Sequence, residues 1–213
     1  MGLGWGESRV DLEFVPFRYH MKVTRNDPTP NPDAIKFVLD GQIVAAGSRS
    51  FRDRVLCEDP VAKRLFEIEE VVSIFFVSNV VTVTKDPFAD WGILIPRINQ
   101  VLEEATEGIE PLSSRPTSPL AGMAAEGEHD AGFFERSYDD KMTKINGVFD
   151  EAVRPGLASD GGGLRLVEIL DKTVRVEYQG ACGSCPSSTS GTLFFIESIL
   201  RGRVHPELMV ELV

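Results

Sequence analysis

Hydrophobic positions recur along the chain with two different periods, and these divide it into elements. Phe17–Thr24 and Ala34–Leu39 read as strands flanking the turn-rich segment NDPTPNPD (Asn26 to Asp33), and Gln42–Ala46 reads as a third. Asp59-Pro60 opens a helix, with Asp59 as its cap, Pro60 at its first position, and Ala62, Leu65, Phe66 and Ile68 as its apolar stripe. Val71–Val77 and Val80–Thr84 are runs rich in β-branched residues around Ser78-Asn79, a hairpin pattern. Asp90–Glu104 reads as a helix with Ile93, Leu94, Ile98, Val101 and Leu102 inward, its start delayed by Pro96.

A second set of elements lies further along. Tyr138–Val153 carries Met142, Ile145, Val148, Phe149 and Ala152 at helical spacing, and Arg154-Pro155-Gly156 is expected to end that helix. Leu164–Leu170 and Thr173–Tyr178 read as strands joined by Asp171-Lys172. A helix from Ser187 to about Leu200 and a last strand within VHPELMVELV complete the pattern.

Between the two sets the periodicity stops. From Ala105 to Ser137, Pro, Ser, Gly, Ala and Glu dominate, as in a flexible linker that buries too little apolar surface to offset its ordering entropy. Phe133 and Phe134 are the exception and are expected to dock on the second domain. The expected fold class is α/β (α+β): two small domains, each a short mixed or antiparallel sheet with packed helices. The first spans residues 1–104 with a core from about residue 17, the linker 105–137, and the second domain 138–213. Such a linker lets the two parts move independently.

Composition adds exclusions. The formal net charge of −11 is spread along 213 residues with no Lys/Arg cluster, which argues against direct nucleic-acid binding, since that needs concentrated positive charge. No apolar run is long enough to span a membrane. The first residues, MGLGWGESRVDLEF, have neither a signal-peptide nor a presequence pattern, so a cytoplasmic location is expected. Three cysteines are too few, and odd in number, for a secreted disulfide framework. No Ser/His/Asp or HExxH arrangement is present, and the chain is not expected to be an enzyme.

The chemistry concentrates in residues 180–188, GACGSCPSS. Cys182 and Cys185, three positions apart, can converge on one metal atom or one face of a cluster. Gly180 and Gly183 let backbone N–H groups approach sulfur. Pro186 suits the first position of a helix and makes Cys185 its N-cap, where the positive dipole end favours thiolate. Three readings are open on these residues alone. The pair could cycle through a disulfide as a thiol-disulfide oxidoreductase, although only 28 residues follow Cys185. It could be half of a structural zinc site in an adaptor protein, with Cys57, His20, His129 and His205 as the remaining candidates. Or it could supply half the ligands of an iron–sulfur cluster, a second chain supplying the rest.

The run VRPGLASDGGGLRLVEILDKTVRVEYQGACGSCPSSTSGTL resembles the C-terminal domain of NifU and of Nfu-type iron–sulfur scaffold proteins, through RPxLxxDGG, a hairpin, and GxCxxCPSSxxxTL. TPNPDAIKF, PVAKRLFEIEEVVSIFFVSNVVTVTK and a Trp-bearing helix start resemble the Nfu N-terminal domain. The first residues and the linker lie outside the likeness. Two departures stand out: Gly163 where the family often has Asp or Asn, and three residues, TSG, where it tends to have two. The resemblance implies a scaffold and carrier that assembles or holds a [4Fe–4S] cluster, or a [2Fe–2S] cluster, through Cys182 and Cys185 of two chains in a homodimer. It also implies upstream cluster-assembly proteins as donors and client apo iron–sulfur proteins as recipients. Ligand arithmetic agrees: a cubane takes four external ligands and one chain offers two.

Other residues have plainer expectations. Asp160–Gly163 reads as a helix-to-strand turn needing positive φ, Cys57 as a small residue near a helix start, and Trp91 as a core residue or a helix-start anchor. Ser187, Ser188 and Thr189 could donate to cluster sulfur or satisfy the next helix's first turn. TPNP (Thr29 to Pro32) reads as a rigid turn, its match in the family hinting at a partner surface. The first domain is expected to be dispensable for holding the cluster and to matter for delivery.

Overall fold

The computed structural model describes residues 20–107, 109, 130, 132–184 and 189–213. Most of the linker, Cys185, Pro186, Ser187 and Ser188 lie outside the described residues.

The first unit is a five-stranded antiparallel sheet in the order β1-β2-β5-β4-β3, with two helices on one face. Its elements are β1 (Val23–Pro28), β2 (Ala34–Leu39), β3 (Ser48–Phe51), α1 (Pro60–Phe66), β4 (Val71–Val77), β5 (Val80–Lys85) and α2 (Trp91–Ala105). The Asp59 carboxylate accepts hydrogen bonds from the amides of Val61 and Ala62, so α1 starts where the Asp-Pro pair places it. Ser78, with φ of 52°, makes the tight turn between β4 and β5. Phe37, Leu39, Leu65, Phe66, Ile74, Phe76, Val81, Val83, Leu94, Ile98 and Leu102 form the core between sheet and helices.

Several boundaries differ from the sequence expectation for identifiable reasons. β1 runs on through Asn26–Pro28, inside the segment expected to turn. It is an edge strand paired only with β2, so Thr24 and Arg25 are exposed and Pro28 ends the ladder without a lost bond. The third strand is the polar Ser48–Phe51; Ile43 and Val44 are buried instead as loop residues whose amides donate to the Ser78 carbonyl. Pro96 lies inside α2 and does not delay it, because Asp90 caps the helix at Gly92. Ile93, expected inward, is 64% exposed.

The second unit comprises α3 (Tyr138–Ala152), α4 (Arg154–Ser159), β6 (Gly162–Leu170), β7 (Thr173–Gly180), a 3-10 turn (Ala181–Ser184), α5 (Thr189–Arg203) and β8 (Met209–Leu212). β6 and β7 are antiparallel, and β8 joins β7 in parallel after the α5 crossover. Arg154-Pro155-Gly156 breaks α3 as expected but also starts α4, with Pro155 in its first turn. Leu164, Leu166, Val174, Val176 and Tyr178 face Ile145, Phe149, Ile196 and Leu200 across the core. Phe133 is fully buried in that core. The opposite face of this sheet is polar: Glu177 pairs with Arg165 at 2.7 Å, and Glu168 with Arg175 at 2.9 Å.

The two units, expected from the sequence to move independently, are in contact. The ends of β6 and β7 abut the face of the five-stranded sheet that carries no helices. In that face Lys36 of β2, Thr82 of β5 and Phe75 of β4 stand in one cross-strand row. Phe75 is 1% exposed, yet it is absent from the core on the helix side. Among the described residues, no helix is long and apolar enough to cross a membrane.

Candidate functional site

Cys182 is delivered by the end of β7. The strand runs to Gly180, whose φ of 59° turns the chain into the 3-10 turn carrying Ala181 and Cys182. The turn is pinned to the start of β6, because the Ala181 amide donates to the Gly161 carbonyl at 3.1 Å. Gly161 itself has φ of 77°, the positive value expected of the Asp160–Gly163 turn. The Cys182 side chain lies against Gly162. A Cβ built there would overlap the sulfur and lie 3.1 Å from both the Cys182 backbone nitrogen and its Cβ. The run of glycines therefore makes the seat in which this cysteine rests. Cys182 is 8% exposed and touches the core of its unit.

Tyr178 lies three residues before the turn, with its hydroxyl buried. Burial pushes its ionisation up to about 12; the Thr192 hydroxyl opposes that shift and the Cys182 side chain adds to it. The phenol is therefore neutral at physiological pH. The unfolded chain releases this proton near the ordinary value of 10, while the folded protein holds it to about 12. Stability contributed by the neutral phenol is thus present below pH 10 and is lost as pH rises through that window. Tyr178→Phe is expected to flatten this alkaline limb in urea midpoints measured from pH 9 to 12, and an unchanged limb would show that another group carries it.

The remaining cysteine and histidines are dispersed. Cys57 is buried in the core of the first unit, where burial foremost pushes its thiol up. His205 stacks edge-on against Phe134 with centroids 4.4 Å apart, and His20 is exposed. His129 and Cys185 lie outside the described residues. Among the described residues, no three His, Cys, Asp or Glu side chains gather to hold a metal ion. The structure thus keeps Cys57, His20 and His205 apart from Cys182, and the zinc set considered for them gains no support.

The TPNP turn is rigid, and it is aimed at the cysteine turn. Thr29 Oγ1 donates to the carbonyls of Asn31 in the turn and Ala34 at the start of β2, and Asn31 Oδ1 accepts from the Asp33 amide at 3.0 Å. That leaves the Asn31 amide nitrogen to donate to the Ala181 carbonyl at 3.0 Å, a buried bond between the two units. Trp91 anchors the same turn from behind: its indole N–H donates to the Pro32 carbonyl at 3.0 Å, with Lys85 over its ring. Arg52 donates to the Tyr178 carbonyl and pairs with Glu177 at 3.3 Å, and Lys36 Nζ donates to the Ser159 carbonyl at 2.6 Å. Sequence reasoning did not single out Asn31 alone, Arg52, Lys36 or Phe75 as neighbours of Cys182. One signal was available: Ile74-Phe75-Phe76 breaks strand alternation, as expected of a strand covered on both faces.

Comparison with known proteins covers both units. Residues 24–108 match the family described as "Scaffold protein Nfu/NifU N terminal", and residues 145–211 match the "NifU-like domain". The human NFU1 iron-sulfur cluster scaffold homolog, mitochondrial, is 31% identical over 177 residues, which are 82% of this chain and 65% of that protein. The corresponding protein of Drosophila willistoni is 29% identical over 75% of this chain and 53% of its own length. Among solved structures, protein SAV1430 from Staphylococcus aureus is 26% identical and covers 39% of this chain and 100% of its own, with a TM-score of 0.34. The chain spans about half the length of the Drosophila relatives it matches. The relatives from fly, plant and human are named as mitochondrial, which overturns the cytoplasmic expectation. That expectation rested on the composition of the first residues alone. With an Nfu/NifU N-terminal domain followed by a NifU-like domain, the chain belongs to the Nfu-type family of iron–sulfur scaffold proteins.

Proposed function

We propose that this chain is an iron–sulfur cluster scaffold and carrier that performs no catalytic turnover. Its cargo is a [4Fe–4S] cluster held by Cys182 and Cys185 of two copies, and its location is mitochondrial, as in its named relatives. The observation that carries the reading is the seat of Cys182: a glycine-lined turn, three residues before Cys185 in sequence, in a protein whose described residues gather no group of three His, Cys, Asp or Glu side chains. A cubane needs four external ligands, so a chain that brings two cysteines requires a second copy. Ligands contributed at a chain–chain junction are released when the chains part, which suits a cluster received from upstream assembly proteins and passed to client apo-proteins. The names of the relatives as cluster scaffolds support the same reading.

Anaerobic reconstitution with ferrous iron and sulfide tests it. The protein is expected to turn brown, carry about four iron per dimer, and shift from monomer to dimer on sizing as it loads. Four iron on a strictly monomeric chain, or a colourless protein that binds zinc in preference, would overturn it.

A further inference from the structure

The loops around Cys182 lack side chains at the points where the N-terminal domain comes closest. A Cβ on Gly163 would lie 2.6 Å from the tip of the Phe75 ring, and one on Gly180 2.9 Å from the same ring. A Cβ on Gly161 would lie 2.9 Å from Lys36 and 3.1 Å from Thr82. A Cβ on Gly183, beside Cys182, would overlap the Arg52 guanidinium, the movable end of a long side chain. Real Cβ atoms do not make such contacts, so the fit depends on glycine at several separate positions at once. Around it lie the polar bonds already described: Asn31 to Ala181, Arg52 to Tyr178 and Glu177, and Lys36 to Ser159. A single aromatic anchor in a small-residue socket, ringed by polar bonds to backbone, is the anatomy of a specific interface. Gly163, the departure from the family pattern, is the position that admits Phe75.

We propose that the helix-free face of the N-terminal sheet is the intramolecular partner of the cysteine turn, forming a closed state in which the N-terminal domain stands over the loop that a second copy must approach. Resting on the cluster reading above, the second half of the inference is that loading requires the domain to swing off. In the closed form Cys182 is 8% exposed and packed in the core of its own unit, and the N-terminal domain bonds to the residues on either side of its turn, Asn31 to the Ala181 carbonyl and Arg52 to the Tyr178 carbonyl. The N-terminal domain then does more than guide delivery: it competes with the second copy for the same loop and sets how readily the empty carrier accepts cargo. Opening needs no change within either core, because Phe75 belongs to neither and the bonds that break are made to backbone carbonyls, the Glu177 carboxylate and the Gln179 side-chain amide.

The test uses the full chain in its apo form with Cys57→Ser and Cys185→Ser, leaving Cys182 as the single thiol. Arg52→Glu opposes Glu177 from one side, and Gly163→Val occupies the seat of Phe75 from the other. Each is expected to raise the rate at which an aromatic disulfide reagent labels Cys182 by on the order of tenfold, the scale of one or two lost polar contacts. Each should also enlarge the molecule in small-angle scattering. Circular dichroism confirms that the variants are folded. Labelling and dimensions unchanged in both folded variants would overturn the closed state. A second arm restores Cys185 and follows cluster uptake. Faster uptake in the opened variants supports competition with the second copy, and equal uptake overturns that half. Raised labelling with no iron uptake in parent or variants would leave the closed state standing and remove the cluster reading instead.

Discussion

Cys182→Ala and Cys185→Ala are each expected to abolish stable cluster binding, while Cys57→Ala is expected to leave it intact. In a symmetric dimer one substitution per chain removes two of the four external ligands, leaving two irons of a cubane without protein sulfur. The effect on binding is therefore close to complete. The effect on folding is modest, because Cys182 sits at the rim of its core on a turn held by backbone bonds. Cys57 differs on both counts. It is packed into the core of the other unit, and burial raises its thiol, so the thiolate that iron requires is disfavoured. Cys57→Ala should cost about 1 kcal/mol of stability in the first unit and no iron. The measurement is iron and sulfide per chain, with visible charge-transfer absorbance, after anaerobic reconstitution of each variant. Full loading of Cys182→Ala would remove that residue from the ligand set. Loss of cluster from a folded Cys57→Ala would force a new assignment.

Much of the fold was legible because the segments concerned are strongly patterned. The Asp59-Pro60 start of α1, the hairpin of β4 and β5, and the stripe of α3 follow from local rules that tertiary packing had no cause to override. The misplaced elements share another cause. Whether Asn26–Pro28 turns or extends depends on the presence of β2 beside it, and whether Ile43 and Val44 form a strand depends on the Ser78 carbonyl that their amides reach. These are long-range facts that no window around the residues contains. Cys182 was found from its spacing to Cys185. Its surroundings were not, because they are built by Asn31, Arg52 and Phe75, more than a hundred residues away.

The same contacts change how the glycines in DGGG and QGACG are understood. From sequence those of DGGG read as a helix-to-strand turn needing positive φ, and Gly180 and Gly183 as positions where backbone approaches sulfur. In the structure only Gly161 and Gly180 have positive φ, whereas Gly162 and Gly163 lie in regular strand β6. At those two positions glycine is needed for space: Gly162 makes room for the cysteine and Gly163 for the opposing domain. One strand end thus makes room for Cys182 on one side and for Phe75 on the other.

Gly162→Ala is accordingly expected to damage the site far more than a one-carbon change implies. The added Cβ would overlap the Cys182 sulfur and come within 3.1 Å of that residue's Cβ and backbone nitrogen. The sulfur alone could rotate away. The backbone nitrogen is harder to move, because the preceding residue is tied on both sides, its amide to Gly161 and its carbonyl to Asn31. The turn must therefore shift as a unit, giving up one or both bonds and moving Cys182 away from its position. Overpacking of this kind costs about 1–3 kcal/mol, and the displaced thiolate should lower iron per reconstituted chain severalfold. Gly147→Ala is the matched control. It lies within helix α3 with nothing within 4 Å of its added Cβ, so replacing glycine there should stabilise by up to about 1 kcal/mol and leave iron unchanged. Urea midpoints and iron per chain on the two variants, side by side, separate the outcomes. If Gly162→Ala matches Gly147→Ala in both, then the contact between this glycine and Cys182 plays no part in forming the site.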